Sequence, residues 1–378
     1  MQVVIPMSGF GERFKVAGYS VPKPLIEVDG KTIIQYVVEM FPGENDITFI
    51  CNKDHLNEKK YRMREILKEI APESKVIAID PHKLGPVHAV LQAIHALDSE
   101  KPTIVNYADF TCDWSYIDFC NTVENAQCDG AIPCYRGFHP HTLWSNYYAY
   151  VPEKEMRALD IQEKKPFTDF PREEFASSGT YYFRSAYLMQ QYFERCIVED
   201  LTVGGEFYVS MAYKPMIQDG LKINVYELNH FMQWGTPADL EEYRYWSNTF
   251  RLILNEQMLP KHKGALILPM VGLGSRFKIE GYELSKPLIE VSGEPMAVQA
   301  LMDLPLTDRQ IFILRRNMQG INQLKEALQN NTSAAEFAVL DHMTDGQAST
   351  CVEGANGLAM NEPVTIAACD NGMIYNSN

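Results

Sequence analysis

The chain has 378 residues, of which 46% are hydrophobic and 22% charged, a composition typical of a soluble globular protein with two or three domains. A formal net charge of −15 argues against a nucleic-acid partner or an anionic membrane surface, because both are bound through basic surfaces. The longest apolar stretch, at about residues 265–273, is too short for a membrane span.

Cysteine usage and the N-terminal residues bear on the cellular compartment. The eight cysteines are scattered along the chain, and none of them forms a C-x-x-C pair. The N-terminus runs directly into Val3 and Val4 without the basic stretch of a secretory leader. We therefore expect reduced thiols and a cytoplasmic protein.

Short apolar runs alternate with segments of helical spacing along most of the chain. In chain order, the predicted elements are a strand at 3–7, a helix at 32–40, a strand at 47–51, a helix at 61–70, a strand at 75–79, a helix at 87–97, strands at 103–107, 144–151 and 180–183, and a helix at 237–258. The alternation predicts an α/β fold with a mostly parallel sheet. In such sheets, ligands lie beyond the carboxyl ends of the strands.

One segment of the chain occurs twice. Residues 6–30 and 269–293 are 263 positions apart, and sixteen of the 25 aligned positions are identical. Two later residues of the first copy also return, both at a spacing of 261: Gly85 as Gly346, and Asp109 as Asp370. The sequence therefore predicts an internal tandem repeat.

The repeated segment has the composition of a loop that holds polyphosphate. In the first copy, Gly9 and Gly11 follow a buried strand, and Arg13 and Lys23 come after them. A dinucleotide-binding loop would need a third glycine where Phe14 stands, and a P-loop would need Gly-Lys-Ser/Thr. Bare backbone amides and two cations can surround a triphosphate, since no Cβ blocks its approach.

This combination resembles the sugar-phosphate nucleotidyltransferases, or NDP-sugar pyrophosphorylases, whose signature is G-x-G-x-R followed by P-K-P-L. The resemblance covers about residues 3–250 and implies a three-layer α/β/α fold, a Rossmann-like arrangement related to GT-A enzymes. It implies a complete nucleotidyltransferase domain at 1–258 and the N-terminal half of a second one at 264–378. We expect the first copy to hold the only complete active site, and the second to associate with the first domain or to form a homo-oligomer.

The resemblance also assigns roles to residues, which fall into five groups. The catalytic group consists of Arg13, Lys23 and Asp109, and Asp109 is also the Mg²⁺ ligand. The nucleotide-binding group consists of Met7, Ser8, Gly9, Phe10, Gly11, Gly85 and His88. The group that binds the sugar phosphate consists of Glu163, Lys164, Gly179, Thr180 and Glu206. The second-copy equivalents are Gly272, Gly274, Arg276, Lys286 and Asp370. Gln233 stands alone, at a position where the family usually has a second metal-binding aspartate.

The implied function is transfer of a nucleotidyl group from a nucleoside triphosphate to a sugar or polyol phosphate. Pyrophosphate would leave, and the activated product would supply capsule or other surface polysaccharide. The segment from Gly85 to Val90 resembles the G-x-x-H-A-V segment that packs against the nucleobase in uridylyltransferases of this family, and the resemblance favours a pyrimidine base. Two alternatives remain at this stage: a non-catalytic nucleotide-sugar-binding or regulatory module, which Gln233 favours slightly, and a GT-A glycosyltransferase, which would need a D-x-D motif where Asp109 and Asp113 are spaced too widely.

Overall fold

The computed structural model describes residues 1–137, 149–254, 261–355 and 357–373. By the contacts between residues, the chain divides into two compact units, Met1–Trp246 and Ser247–Asn378. Within the described ranges, every helix is too short or too polar to cross a membrane.

The first unit alternates strands and helices. Its strands are β1 (Gln2–Met7), β2 (Glu27–Val28), β3 (Lys31–Thr32), β4 (Ile47–Asn52), β5 (Lys75–Ile79), β6 (Thr103–Asn106), β7 (Phe110–Asp113), β8 (Gly130–Tyr135), β9 (Ala149–Val151), β10 (Glu153–Lys154), β11 (Arg157–Ala158), β12 (Gln162–Glu163), β13 (Phe175–Ser177), β14 (Thr180–Phe183), β15 (Ile223–Glu227) and β16 (His230–Gln233). Its helices are α1 (Glu12–Val16), α2 (Ile33–Glu39), α3 (Lys53–Asn57), α4 (Met63–Ile70), α5 (Pro86–Gln92), α6 (Tyr116–Ala126), α7 (Ala186–Val198), α8 (Ser210–Gln218) and α9 (Pro237–Leu254), which runs across the boundary between the units.

Seven strands form the spine of the first unit's sheet, in the order β15-β8-β14-β6-β1-β4-β5. The pairs β5–β4, β4–β1, β1–β6 and β8–β15 are parallel, whereas β14 runs antiparallel to both of its neighbours. All spine strands except β14 therefore point the same way, which confirms the predicted mostly parallel sheet. Short antiparallel strands extend this sheet beyond β15 and beside β8.

Helices cover both faces of this sheet. Successive side chains of β1 point to opposite faces, and both sets are apolar, so both faces need a covering layer. Val3 and Ile5 point into one apolar core with residues of α2, α4 and α6, whereas Val4 points into a second core with residues of α5, α7 and α8. Burial on both faces explains the nearly continuous apolar runs of the central strands. The result is the expected three-layer α/β/α arrangement.

Several predicted boundaries differ from those in the structure. The helix predicted at 87–97 is α5 followed by a separate 3₁₀ turn at Ile94–Ala96, because Ala93 leaves the helical conformation. The helix predicted at 61–70 begins at Met63, since Arg62 has a positive φ of 46°. Within the predicted strand at 144–151 and helix at 237–258, residues 144–148 and 255–258 lie outside the described residues.

The second unit contains a smaller, fully parallel sheet in the order β21-β20-β17-β22. Its strands are β17 (Lys261–Pro269), β18 (Glu290–Val291), β19 (Glu294–Pro295), β20 (Leu306–Arg315), β21 (Ala335–Leu340) and β22 (Val364–Ile366). Its helices are α10 (Ser275–Ile279), α11 (Met296–Met302), α12 (Ile321–Asn331) and α13 (Gln347–Gly354). The order matches β5-β4-β1-β6 of the first unit. The apolar β22 lies at the sheet edge with Val364 and Ile366 exposed, whereas β6 is buried beside β14.

Candidate active site

The glycine loop follows β1 at the carboxyl end of the sheet. Gly11 takes the left-handed conformation, with φ 64° and ψ 33°, and forms the N-terminal boundary of α1. Phe14 is buried in the core and packs edge-on against Tyr19, at 5.2 Å between ring centroids. These two features hold the loop in place and leave Arg13 exposed on the opposite side. A Cβ built on Gly9 meets no atom within 4 Å, so the space above this residue is open.

A cavity of about 450 Å³ lies in front of this loop. The structure brings to its wall, among the residues predicted from sequence, Met7, Ser8, Gly9, Phe10, Gly11, Arg13, Lys23, Gly85, Asp109 and Glu206. These residues come from segments that are far apart in the chain. They meet because β1 and β6 are parallel neighbours, with Val4 opposite Val105, so that both strands end at the same sheet edge.

Lys23 and Asp109 form an ion pair in the cavity wall, with 2.8 Å between Nζ and Oδ2. Lys23 opens a 3₁₀ turn, Lys23–Leu25, in which Pro22 and Pro24 restrict the backbone. Asp109 follows β6, and its carbonyl oxygen accepts a 2.7 Å hydrogen bond from the amide of Trp234. The side chains are 24% and 29% exposed, so the pair remains accessible from the cavity.

Gln233 lies next to this pair because β16 runs antiparallel to β7, with Gln233 opposite Phe110. The position of a Cβ on Gly235 would be 3.0 Å from Gln233 Nε2 and 3.4 Å from Asp109 Oδ2. Gln233 Oε1 is buried and has no hydrogen-bond partner. The Gln233 side chain and the Asp109 carboxylate therefore both lie against Gly235, and the Gln233 amide oxygen is unsatisfied.

Asp239 also lies against Gly235, 3.6 Å from the position of a Cβ there, and has a structural role. Its carboxylate accepts hydrogen bonds from the amide and the hydroxyl of Thr236, at 2.7 and 2.8 Å, at the start of α9. Burial raises the pKa of Asp239, and the hydrogen bonds from Thr236 oppose that rise. Within the described ranges, His, Cys, Asp and Glu side chains nowhere gather in a group of three that could hold a metal.

Lys164 begins a chain of hydrogen bonds that reaches the cavity wall. Its Nζ donates to the Tyr208 hydroxyl at 2.7 Å, and that hydroxyl donates to Glu206 at 2.6 Å. Tyr208 and Glu206 line the cavity. Burial, followed by the hydrogen bond to Glu206, raises the pKa of Tyr208, so this hydroxyl stays protonated. The chain thereby connects Lys164 to the cavity wall.

Glu163, the neighbour of Lys164, contacts α8 instead of the cavity wall. Its Oε2 accepts a 2.6 Å hydrogen bond from Ser210. Burial raises the pKa of Glu163, whereas the hydrogen bond from Ser210 and the charge of Lys164 lower it. This arrangement fixes the start of the segment that carries Lys164.

Three other predicted residues lie behind the cavity wall. Thr180 is 1% exposed, and its hydroxyl donates to Asn106 at 2.5 Å. The Gly179 carbonyl accepts from the amide of Tyr107, and a Cβ on Gly179 would lie 3.1 Å from the Tyr107 ring. The His88 ring packs against His82, 4.7 Å away, and it is His82 that lines the cavity. These residues support the wall at the end of β6 and beneath the loop at 82–85.

The wall also contains residues that sequence reasoning did not single out: His82, Lys83, Tyr107 and Tyr208. Lys83 forms a 2.8 Å ion pair with Glu12, and its Nζ lies 5.7 Å from the centre of the Phe10 ring. It thereby links the loop at 82–85 to the glycine loop. In the sequence, Lys83 stands two residues before the predicted nucleotide-binding Gly85, and this proximity is the feature that could have indicated its place in the wall. Gly85 itself has φ +88°, and a Cβ there would lie 2.7 Å from the backbone nitrogen of Phe207.

The second-copy equivalents form a separate arrangement in the second unit. Gly272, Gly274 and Arg276 lie between β17 and the first turn of α10, and Lys286 forms an ion pair with Asp370.

Comparison with known protein families agrees with this site. A family model described as Nucleotidyl transferase matches residues 2–202, which are more than half of the chain. The chain belongs to the nucleotidyl transferase family. The match contains the glycine loop, the Lys23–Asp109 pair and Lys164, and it ends before Glu206 and Gln233.

Solved structures with a similar fold support the architecture of this nucleotidyl transferase. A UDP-glucose pyrophosphorylase complexed with UDP-glucose aligns with a TM-score of 0.51 and 17% identity, over 66% of this chain and 98% of that chain. A nucleoside-diphosphate-sugar pyrophosphorylase from Vibrio cholerae RC9 aligns with a TM-score of 0.50 and 20% identity, over 65% and 100% of the two chains. These similarities confirm the expected fold class.

Curated relatives match smaller parts of the molecule. The Bifunctional protein GlmU of Ralstonia pickettii (strain 12J) is 32% identical over 109 residues, 29% of this chain and 22% of that protein. The Bifunctional protein GlmU of Methanocaldococcus jannaschii is 23% identical over 253 residues, 64% of this chain and 53% of that protein. The chain thus spans between about a fifth and about half of these relatives.

Proposed function

We propose that this nucleotidyl transferase moves a nucleotidyl group from a nucleoside triphosphate to a sugar or polyol phosphate. The observation that carries the proposal is the cavity that the glycine loop shares with the Lys23–Asp109 pair and the exposed Arg13. Open space above Gly9, next to two cations, suits a triphosphate. The Lys23 and Asp109 side chains are 24% and 29% exposed, so both charges are accessible to a ligand in the cavity.

The proposed reaction is an in-line displacement at the α-phosphorus of the nucleotide. An oxygen of the acceptor phosphate forms the new P–O bond, and the bond to the bridging oxygen breaks with pyrophosphate as the leaving group. Since the nucleophile is already an anion, the reaction needs neither a general base nor a covalent intermediate. Catalysis then depends on positioning and on stabilisation of charge.

The cations of the cavity wall have distinct places in this scheme. Lys23 lies beside Asp109 and would face the α-phosphate, where negative charge develops. Arg13 lies on α1 beyond the glycine loop and would contact the leaving pyrophosphate through its planar guanidinium. Lys83, which neutralises Glu12 at the cavity rim, adds a third cation to this side.

Mg²⁺ fits the oxygen groups beside Lys23. Asp109 supplies a carboxylate, and Gln233, whose side chain also lies against Gly235, has a buried Oε1 without a hydrogen-bond partner. Mg²⁺ in phosphoryl-transfer sites commonly has one or two protein ligands and takes the others from phosphates and water. Asp109 and Gln233 would therefore hold the ion, which when bound neutralises charge on the phosphates.

The acceptor would bind on the side of Lys164. The chain of hydrogen bonds through Tyr208 to Glu206 positions a cation and two acceptor groups at the edge of the cavity. The cation suits a phosphate, and the oxygen atoms suit sugar or polyol hydroxyl groups. The activated product would be a precursor for capsule or other surface polysaccharide.

The nucleobase would lie near Gly85 and His82. The amide of Leu84 donates to His82 Nδ1 at 3.2 Å, and burial, together with the charge of His88, lowers the pKa of His82. The ring is therefore neutral at pH 7, with its proton on Nε2. We favour a pyrimidine base, on the sequence of the helix that follows Gly85.

A pyrophosphate-release screen tests the proposal. The five common nucleoside triphosphates are each offered with Mg²⁺ and a panel of sugar and polyol phosphates. The expected result is pyrophosphate release that requires one acceptor, together with a nucleotidylated product detected by mass spectrometry. Release without an acceptor would indicate hydrolysis, and an absence of release across the panel, while triphosphate still binds, would support the non-catalytic alternative.

A further inference from the structure

The second unit repeats the backbone of the first glycine loop, although it lies outside the family match at residues 2–202. Gly274 has φ 62° and ψ 34°, against 64° and 33° for Gly11. Each glycine starts a five-residue helix without a side-chain cap. A Cβ on Gly272, as on Gly9, would meet no atom within 4 Å. The second loop therefore leaves the same open space above its first glycine.

The aromatic pair of the first loop also recurs in the second, although Phe277 is only partly buried where Phe14 is 2% exposed. Phe277 and Tyr282 pack edge-on at 5.4 Å between ring centroids, and the Tyr282 amide donates to the Phe277 carbonyl at 3.0 Å. Ser285 continues the match, since its carbonyl accepts from the Leu288 amide at 2.8 Å. Arg276 is exposed, as Arg13 is in the first unit.

Lys286 and Asp370 complete the arrangement with an ion pair. Asp370 follows the parallel strand next to β17, as Asp109 follows the strand next to β1. The side chains are 26% and 32% exposed. Ion pairs with this exposure add little to folding stability. A bound ligand that needs both a cation and a carboxylate would give Lys286 and Asp370 a role at this position.

One difference makes the second loop more favourable for anions. Ser275 stands where the first loop has Glu12, a carboxylate that Lys83 neutralises there. The segment from Gly272 to Arg276 therefore contains no acidic residue. Its bare amides and Arg276 present positive groups to an incoming phosphate, and Lys286 adds a further cation, which is paired with Asp370.

We propose that the second unit carries its own polyphosphate-binding site, which takes the triphosphate of a nucleotide together with a divalent cation. Gly272, Gly274 and Arg276 would surround the phosphates, and Lys286 and Asp370 would hold the phosphate–cation end. All five of these residues belong to the second unit, and we expect the site to bind without turnover in the first unit.

Calorimetric titration of the full chain with inorganic tripolyphosphate and Mg²⁺ tests this site without assuming a nucleobase. The expected stoichiometry is two equivalents per chain. Gly272→Asp should weaken one equivalent by more than about tenfold, because it adds a negative charge within a few ångströms of the phosphates. Gly9→Asp is the matched variant for the first unit and should weaken the other equivalent. The double variant should bind neither.

Both aspartates enter open space at backbone angles outside the left-handed region, so the fold should tolerate them. Circular dichroism melting curves check this. If Gly272→Asp melts early, Lys286→Gln, which removes the charge and keeps a hydrogen-bond donor for Asp370, replaces it. Gly272→Asn separates the effect of bulk from that of charge and should weaken binding less than the aspartate.

The possible stoichiometries lead to different conclusions. A single equivalent that is lost in Gly9→Asp and kept in Gly272→Asp overturns the second site and leaves the proposed function intact. A single equivalent that is lost only in Gly272→Asp supports the second site and contradicts the proposed role of the first loop. Two equivalents that both survive Gly272→Asp and Lys286→Gln overturn the second site.

Discussion

The Nζ atom of Lys23 lies 2.8 Å from Oδ2 of Asp109, although the two residues are 86 positions apart in the chain. The pair closes one end of the cavity and leaves both groups within reach of a bound phosphate. It is the contact on which the proposed chemistry depends most directly, and it supplies the first prediction.

Lys23→Ala and Asp109→Asn should each lower kcat/KM by at least about a hundredfold. Each removes one charged group at the reacting phosphate, and such a group stabilises the transition state by about 3 kcal/mol. Steady-state kinetics on the reaction identified by the screen measures the loss, and circular dichroism checks the fold. Lys53→Ala is the matched control, because it breaks an exposed ion pair with Asp80 outside the cavity wall. Turnover near that of the control would contradict the assigned roles.

Two substitutions at Gln233 should change the apparent Mg²⁺ affinity in opposite directions. Gln233→Asp should lower the Mg²⁺ concentration for half-maximal turnover, because a carboxylate is a better ligand than an amide oxygen. Gln233→Leu should raise it, since it removes the buried Oε1, which has no hydrogen-bond partner. Excess EDTA should abolish turnover in all three proteins. If both variants titrate like the parent, Gln233 lies outside the metal shell.

Two glycine-to-alanine variants should separate ligand binding from stability. Gly9→Ala adds a methyl group to open space and should leave the melting temperature unchanged while raising the KM for the nucleotide. Gly85→Ala should destabilise the protein by at least about 1 kcal/mol, because φ is +88° and the methyl group would meet the Phe207 backbone. Thermal melts and kinetics on both variants measure the contrast. Equal melting temperatures would contradict the close packing at Gly85.

Lys164→Met should raise the KM for the acceptor phosphate by about tenfold or more, with little effect on the KM for the nucleotide. A hydrogen bond from a charged group contributes about 1.5–3 kcal/mol, which corresponds to that factor. Lys154→Met, at an exposed lysine of β10, is the control for loss of one charge. A rise in the nucleotide KM alone would contradict the proposed contact between Lys164 and the acceptor phosphate.

Glu163 predicts a pH dependence of stability. Because burial raises its pKa in the folded state, the folded protein holds this proton more tightly than the unfolded chain does. The contribution of Glu163 is therefore full below the ordinary glutamate pKa of about 4.3, and it falls as pH rises through the raised value. Glu163→Gln removes the titration and can still accept from Ser210. Urea unfolding from pH 4 to 7 should show the variant gaining stability relative to the parent, and a constant difference would contradict the raised pKa.

The sequence by itself determined the local features of this protein. Glycine at position 11 and prolines on both sides of Lys23 restrict their own backbone, so the loop could be read without knowledge of distant residues. Apolar runs and helical spacing likewise determined the class of fold and the order of its elements. Boundaries such as that at Arg62, where a single residue takes a positive φ, were not visible in these patterns.

Only the tertiary structure decided which side chains face the cavity. The register between β1 and β6 brings Asp109 to Lys23, and the pairing of β16 with β7 brings Gln233 beside them. Thr180 belongs to a predicted motif, yet its hydroxyl is buried against Asn106, whereas Tyr208 lines the cavity and connects Lys164 to it. Such contacts depend on strand register and on packing between distant segments, which no short motif encodes.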